Sequence, residues 1–133
     1  MAILRDNERC YVCGKANAIG LKLDFTIDRD TRSISGWFTP ISEHQGFEGI
    51  VHGGILSAIL DEAMAKLAFG LGIPAMTAEL TVTFMASAAP GDELSIAGSI
   101  TKETKRLVLA EARIKRGPVL IAEAKGKLLR SGS

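Results

Sequence analysis

VHGGILSAILDEAMAKLAFG, residues 51–70, decides the fold. Placed on a wheel of about 100° per residue, Ile55, Leu56, Ile59, Leu60, Ala63, Met64 and Leu67 share one broad face. The spacing predicts a helix reaching about Gly70, with Gly70, Gly72 and Pro74 as terminators. The opposite face carries Gly54, Ser57, Ala58, Asp61, Ala65 and Ala68. Apart from Asp61 these are the smallest residues available. A carboxylate among small side chains is costly to bury unless it is hydrogen-bonded or has a task. Two readings stay open. Either this face is a helix–helix or subunit contact with Asp61 partly wet, or it is a ligand groove with Asp61 as a catalytic carboxylate. Glu62 and Lys66, four apart at its edge, read as a helix-stabilising pair.

Outward from the helix the period changes from 3.6 to 2. Leu21, Leu23, Phe25 and Ile27 alternate with polar neighbours, which predicts a half-buried strand ending at an Asp28–Arg29–Asp30 turn. Ser33 to Thr39 predicts a second strand, with Ile34 and Phe38 on one side and Trp37 on the other. Beyond the helix, Thr77 to Phe84 alternates with every even residue apolar. Leu94 to Thr101, Arg106 to Lys115 and Val119 to Leu129 follow the same rule, separated by short turns such as Pro90–Gly91–Asp92 and Gly117–Pro118. Short links between the last three imply an antiparallel meander. The class is therefore α+β, one domain over residues 1–133.

Composition narrows the function classes. The chain has 133 residues, 16 basic against 15 acidic, so it lacks the basic excess of a nucleic-acid binder. Hydrophobic residues make up 47% but aromatic ones only 5%, so the core is aliphatic. The longest apolar stretch, Ile55 to Ile73, is interrupted by Ser57, Asp61, Glu62 and Lys66, which argues against a membrane span. Met1 to Arg9 lacks the apolar core of a signal peptide. Two cysteines are too few for a disulfide scaffold, and a reducing, cytoplasmic setting is the default.

His52–Gly53–Gly54 opens the helix, where free N–H groups and the positive end of the dipole lie. Two residues without Cβ atoms let a carbonyl group approach them, the arrangement of an oxyanion site for acyl transfer. A tight helix start accounts for the same pair of glycines. Gly53 and Asp61 are eight residues apart, about 12 Å along a helix. An oxyanion donor and an attacking group must both lie within about 3 Å of one carbonyl. One helix cannot supply both to the same carbon, so joint action requires two antiparallel helices from two chains and a symmetric dimer.

At these residues the sequence resembles the hotdog-fold acyl-CoA thioesterases, in particular the phenylacetate-pathway type and the carboxyl-terminal-modulator-like group. The resemblance covers most of the chain. Its parts are Cys10 to Gly14 with Gly20–Leu21, Gly49 to Gly54, Asp61 nine residues after His52, and Met76–Thr77–Ala78 opening the next strand. It implies a helix wrapped by an antiparallel sheet, a homodimer or homotetramer, and hydrolysis of acyl-CoA thioesters without a cofactor. Carried over by position, the Gly53 N–H polarises the thioester carbonyl and Gly54 shapes the turn. Asp61 of the other subunit is nucleophile or general base, His52 orients substrate or loop, and Thr77 hydrogen-bonds the carboxylate or the water. Some relatives carry Asn or Gln six residues before the His. Here that position is Gly46, so Gln45 beside it becomes the candidate second polar contact, and Ser57 lines the same face. Without the resemblance, Thr77 reads as a sheet-surface threonine and His52 as a helix-start histidine bonded to backbone.

Cys10, Cys13, His44 and His52 are every Cys and His in the chain. A lone Cys–x–x–Cys matches no common zinc finger, His52 has the better assignment above, and no metal site is expected. The two thiols are expected to pack the N-terminal segment. Lys102, Lys105, Arg106, Arg113, Lys115 and Arg116 read as a solvated face, with contact to coenzyme A phosphates as the second reading. A non-catalytic acyl-binding or structural dimer on the same fold, and a hydroxyacyl-thioester dehydratase, are the rivals to hydrolysis. Loss of thiol from acyl-CoAs separates them.

Overall fold

Helix α1 spans Gly53–Gly70, the boundaries that the spacing of apolar residues predicts. A computed structural model of the chain describes residues 3–131, so the expected limits of 1–133 run at each end beyond the described residues. The helix ends in a Schellman motif. The Ile73 N–H donates to Ala68 O at 2.9 Å, the Gly72 N–H to Phe69 O at 3.0 Å, and Gly72 is left-handed at φ 80°. Among the described residues no helix is long and apolar enough to cross a membrane.

Six strands form one antiparallel sheet: β1 Phe25–Asp28, β2 Ser33–Phe38, β3 Ala75–Phe84, β4 Leu94–Glu103, β5 Leu107–Arg116 and β6 Val119–Arg130. Their order across the sheet is β1-β2-β4-β5-β6-β3. The expected meander is β4-β5-β6. β3, although it follows the helix directly, lies at the far edge against β6 and has no second neighbour among the described residues.

The first strand is shorter than its alternation predicts. Lys22 sits at φ 56°, which breaks an extended run. Instead, the Leu21 N–H donates to Tyr11 O at 2.8 Å and the Leu23 N–H to Val12 O at 2.9 Å, tying this stretch to the N-terminal turn.

The sheet curls around the apolar face of the helix. Leu56, Ile59, Leu60, Ala63, Met64 and Leu67 pack against Ile96, Val108, Ile114, Ile121 and Leu128 in one core. Gly126 in β6 is there for close approach: a Cβ on it would lie 3.0 Å from both Sδ and Cε of Met64. Two helix positions depart from expectation. Ile55 is only half-buried, whereas Ala68 is buried because the Schellman turn brings Ile73 back beneath it.

Candidate functional site

The start of helix α1 is fixed by His52. As N-cap it adopts φ −60°, ψ 130°, and its Nδ1 accepts the Gly54 N–H at 2.8 Å. Acceptance at Nδ1 leaves the proton of the neutral ring on Nε2. Its carbonyl takes the N–H groups of Ile55 and Leu56. A Cβ on Gly54 would stand 3.0 Å from Nδ1 and one on Gly46 3.2 Å from Cδ2, so the ring sits between two glycines. The N–H of Gly53 makes no hydrogen bond among the described residues. It is the one donor of the first turn left open, at the end of the helix where partial positive charge gathers.

The chain above Val51 is carried by the turn that follows β3. The Val51 N–H donates to Ala88 O at 2.8 Å. Ala89 N–H in turn reaches Asp92 Oδ2 at 2.9 Å, and Arg116 pairs with the same oxygen at 3.1 Å. The Ala89 N–H first, and the Arg116 guanidinium after it, hold the Asp92 carboxyl below the usual aspartate range. Arg116 is thus committed to this turn, which removes it from the basic residues read as available to phosphate.

Asp61 lies half-buried in the middle of the open helix face, and its Oδ1 accepts the Thr77 hydroxyl at 2.6 Å. Strict alternation through β3 would put Thr77 on the side away from the helix, with Glu79, Thr81 and Thr83. A β-bulge between Thr77 and Glu79 shifts the register against β6, where Thr77 faces Leu128 and Glu79 faces Lys127. Ala78 absorbs the extra position, so Thr77 joins Leu80 and Val82 on the inner side. Bulges re-aim side chains in this way.

Ser57 is half-buried one turn before Asp61. Gln45 is occupied within its own loop: its Oε1 accepts the Gly49 N–H at 2.5 Å and its Nε2 donates to Ser42 O at 2.8 Å. Gly53 and Asp61 stand on one uninterrupted helix, so the structure brings Asp61 to Thr77 and His52 to Gly54 but does not bring Gly53 to Asp61 within one chain.

Two features escaped the sequence reading. Phe84, expected inside from its even position in β3, is 51% exposed, and its ring lies 3.2 Å from where a Gly53 Cβ would stand. Glu62 does not pair with Lys66. Its Oε2 accepts hydrogen bonds from Cys10 Sγ at 2.9 Å and Cys13 Sγ at 2.6 Å. Burial first, then the bond to Glu62, pushes the Cys13 thiol well up, which makes it a poor nucleophile at neutral pH. Among the described residues these three are the one group of His, Cys, Asp or Glu side chains whose ligand atoms converge, within 4.8 Å of one another.

Residues 48–122 match the family model of the thioesterase superfamily, a stretch that includes His52, Gly53, Gly54, Ser57, Asp61 and Thr77. Acyl-coenzyme A thioesterase 13 of Homo sapiens is 28% identical over 92 residues, 68% of this chain. The chain spans about three-fifths of that relative's length, 61%. Among solved structures, a thioesterase superfamily protein superposes with a TM-score of 0.85 at 22% identity, over 92% of this chain and 60% of the other. The PaaI protein from the phenylacetic acid degradation operon of Escherichia coli superposes with a TM-score of 0.78 at 22% identity, over 85% and 82% of the two chains. The shared feature is the fold, one long helix wrapped by an antiparallel sheet.

Proposed function

Since the chain belongs to the thioesterase superfamily, we propose that it hydrolyses acyl-CoA thioesters, at sites each assembled from two antiparallel copies. The observation that carries this reading is the equipment of the open helix face. A hydrogen-bonded carboxylate, Asp61 with Thr77, and an unused donor, the Gly53 N–H, lie on one helix about 12 Å apart. A two-fold axis across that face sets the Gly53 of one copy near the Asp61 of the other. The free edge of β3, with Met76 53% exposed and Phe84 51% exposed, supports self-association along the same side.

In this mechanism the thioester carbonyl oxygen accepts the Gly53 N–H, which stabilises the oxyanion of the tetrahedral intermediate. The Thr77 hydroxyl holds Oδ1 of Asp61 and leaves Oδ2 free to act. Oδ2 either takes a proton from water as the water attacks the carbonyl carbon, or attacks that carbon itself and is released by water. The carbon–sulfur bond breaks, and the products are the acid and coenzyme A. His52 works indirectly, by keeping Gly54 bonded so that the Gly53 N–H is the donor presented. Gly54 and Ser57 line the acyl path beside it.

Complementation between variants tests both the chemistry and the shared site. Gly53→Pro removes the N–H at the first helical position, where proline fits after a residue already at ψ 130°, and its ring needs only a small shift of the exposed Phe84 side chain. Asp61→Ala removes the carboxylate. Each variant alone is expected to release little coenzyme A from an acyl-CoA panel. Mixed by co-expression, random pairing leaves one intact site in half of the dimers, so about a quarter of wild-type activity returns. No return of activity places the site within one chain. Absence of thiol release by the wild type from every acyl-CoA supports the non-catalytic acyl-binding reading.

A further inference from the structure

We propose that Cys10, Cys13 and Glu62 bind one divalent cation of the zinc class, with its fourth coordination position open to the adjoining cavity. The proposal rests on a cluster that the hydrolytic mechanism does not use, and it stands whether or not Asp61 acts on thioesters.

The donors already converge. Both sulfur atoms point at the same Glu62 oxygen, and all three ligand atoms lie within 4.8 Å of one another. A tetrahedral zinc with sulfur at about 2.3 Å and oxygen at about 2.0–2.2 Å spaces its donors about 3.5–3.8 Å apart. The carboxylate oxygen, now at hydrogen-bond distance from both sulfur atoms, has to withdraw by about 1 Å to admit the ion, a small side-chain rotation.

The turn that presents the thiols is built for that purpose. The Gly14 N–H donates to Cys10 O at 2.8 Å and the Ala16 N–H to Glu8 O at 2.8 Å. A Cβ on Gly14 would lie 2.4 Å from Cys10 N and 2.5 Å from Glu8 O, so only glycine closes this turn. Val12 is 5% exposed and, through Leu23, anchors the turn to the body of the domain. Both sulfur atoms therefore start from a fixed backbone, at the two-residue spacing that suits thiolate ligation.

Glu62 has no comparable structural reason to be acidic. Thiols are weak donors, and Lys66, one turn on, would be the better partner for a carboxylate kept only for stability. Charge conservation favours the ion. Two thiols and one carboxylate carry −1; two thiolates, one carboxylate and a divalent cation carry −1 as well. Binding releases two protons and oxidises nothing, so the half-buried cluster gains no net charge. The histidines are committed elsewhere, His44 Nδ1 to the Ile41 N–H and His52 Nδ1 to the Gly54 N–H, which leaves a thiolate-dominated set and selects a thiophilic ion. A cavity of about 430 Å³, lined by Arg5, Arg9, Lys66 and the three ligands, supplies room for a water or small anion in the fourth position. The ion would pin the N-terminal turn to helix α1 at the residue next to Asp61.

The full chain, reduced and stripped with a chelator, is to be titrated with Zn²⁺ and with Co²⁺. One ion per chain is expected, with a sulfur-to-cobalt charge-transfer band that Zn²⁺ abolishes and protection of both thiols from alkylation. Glu62→Gln is expected to weaken binding at least about tenfold, and Cys10→Ser with Cys13→Ser to remove it. Alkylation of the wild type, with and without Zn²⁺, needs no variant and guards against loss of fold. Unchanged alkylation at saturating Zn²⁺, a cobalt spectrum without the thiolate band, or uptake that survives in Glu62→Gln and the double serine variant overturns the proposal.

Discussion

On the sheet side of helix α1, Ile59, Leu60, Ala63, Met64 and Leu67 are closed off from solvent; on the other side Ser57, Ala58, Asp61 and Ala65 are only half covered. The first face meets a demand made inside one chain. Each large aliphatic residue there removes enough apolar surface to contribute about 1.5–3 kcal/mol, and Gly126 is kept small so that Met64 fits. The second face meets no such demand. Nothing in the single chain requires its residues to be small, and nothing requires a carboxylate, yet a bulge in β3 turns Thr77 around to bond one. Where packing alone does not account for residue choice, an outside requirement does; on the function proposed above, that requirement is a substrate and a second copy.

The sharpest way to break this contrast is to cut one residue from each face. Asp61→Ala is expected to lower kcat by about 10³-fold, about 4 kcal/mol of transition-state stabilisation, while the thermal midpoint moves little. Leu60→Ala, one residue earlier on the buried face, is expected to cost about 2–5 kcal/mol of stability with kcat of the folded fraction unchanged. Steady-state kinetics and thermal unfolding on the same two samples check both halves. A large fall in stability for Asp61→Ala would show that the open face is packing after all.

Thr77→Val keeps the shape and removes the hydroxyl. A fall of about tenfold in kcat is expected, with Thr77→Ser retaining most activity, because one hydrogen bond to a charged group changes the position of Oδ2 rather than deleting it. Loss in Thr77→Ser with activity kept in Thr77→Val would mean that the methyl group, not the hydroxyl, is what β3 presents.

How far the sequence carried differs along these same lines. The helix limits, its buried stripe and the strand alternations were legible because burial imposes a period, and period is visible in one chain. The contact of Thr77 with the carboxylate was expected from the family resemblance but not from the alternation, because its inward turn depends on a register shift against β6, some fifty residues further on. Phe84 keeps the inward parity of Leu80 and Val82 but stands at the end of β3 beside Gly53, where a single chain leaves it 51% exposed, and strand period says nothing of that. Glu62 was read with its helical neighbour Lys66, whereas its partners Cys13 and Cys10 are 49 and 52 residues away. The late start of β1 follows from Lys22 turning left-handed where the chain pairs with Tyr11 and Val12, again a contact that no local pattern encodes. Of the site itself, residue types and spacing were legible; which groups touch, and which donor stays free, came only with the tertiary structure.

The smallest expected effect lies beneath the helix start and distinguishes support from chemistry. Asp92 holds the turn on which Val51 hangs, through the Ala89 N–H and Arg116. Its carboxyl is depressed in the folded state, so the stabilisation is present at neutral pH, above the ordinary aspartate value, and is lost as pH falls through the lower folded value. Asp92→Asn keeps an acceptor for Ala89 but loses the charge. A thermal midpoint about 1–3 °C below wild type is expected at neutral pH, as for a partly exposed ion pair, and the gap should close below about pH 4. Because the Gly53 N–H stays free in the variant, kcat at neutral pH should hold within about twofold. A fall like that of Asp61→Ala would move Asp92 from the scaffold of the helix start into the site, and a gap that widens on acidification would reverse the sign assigned to its charge.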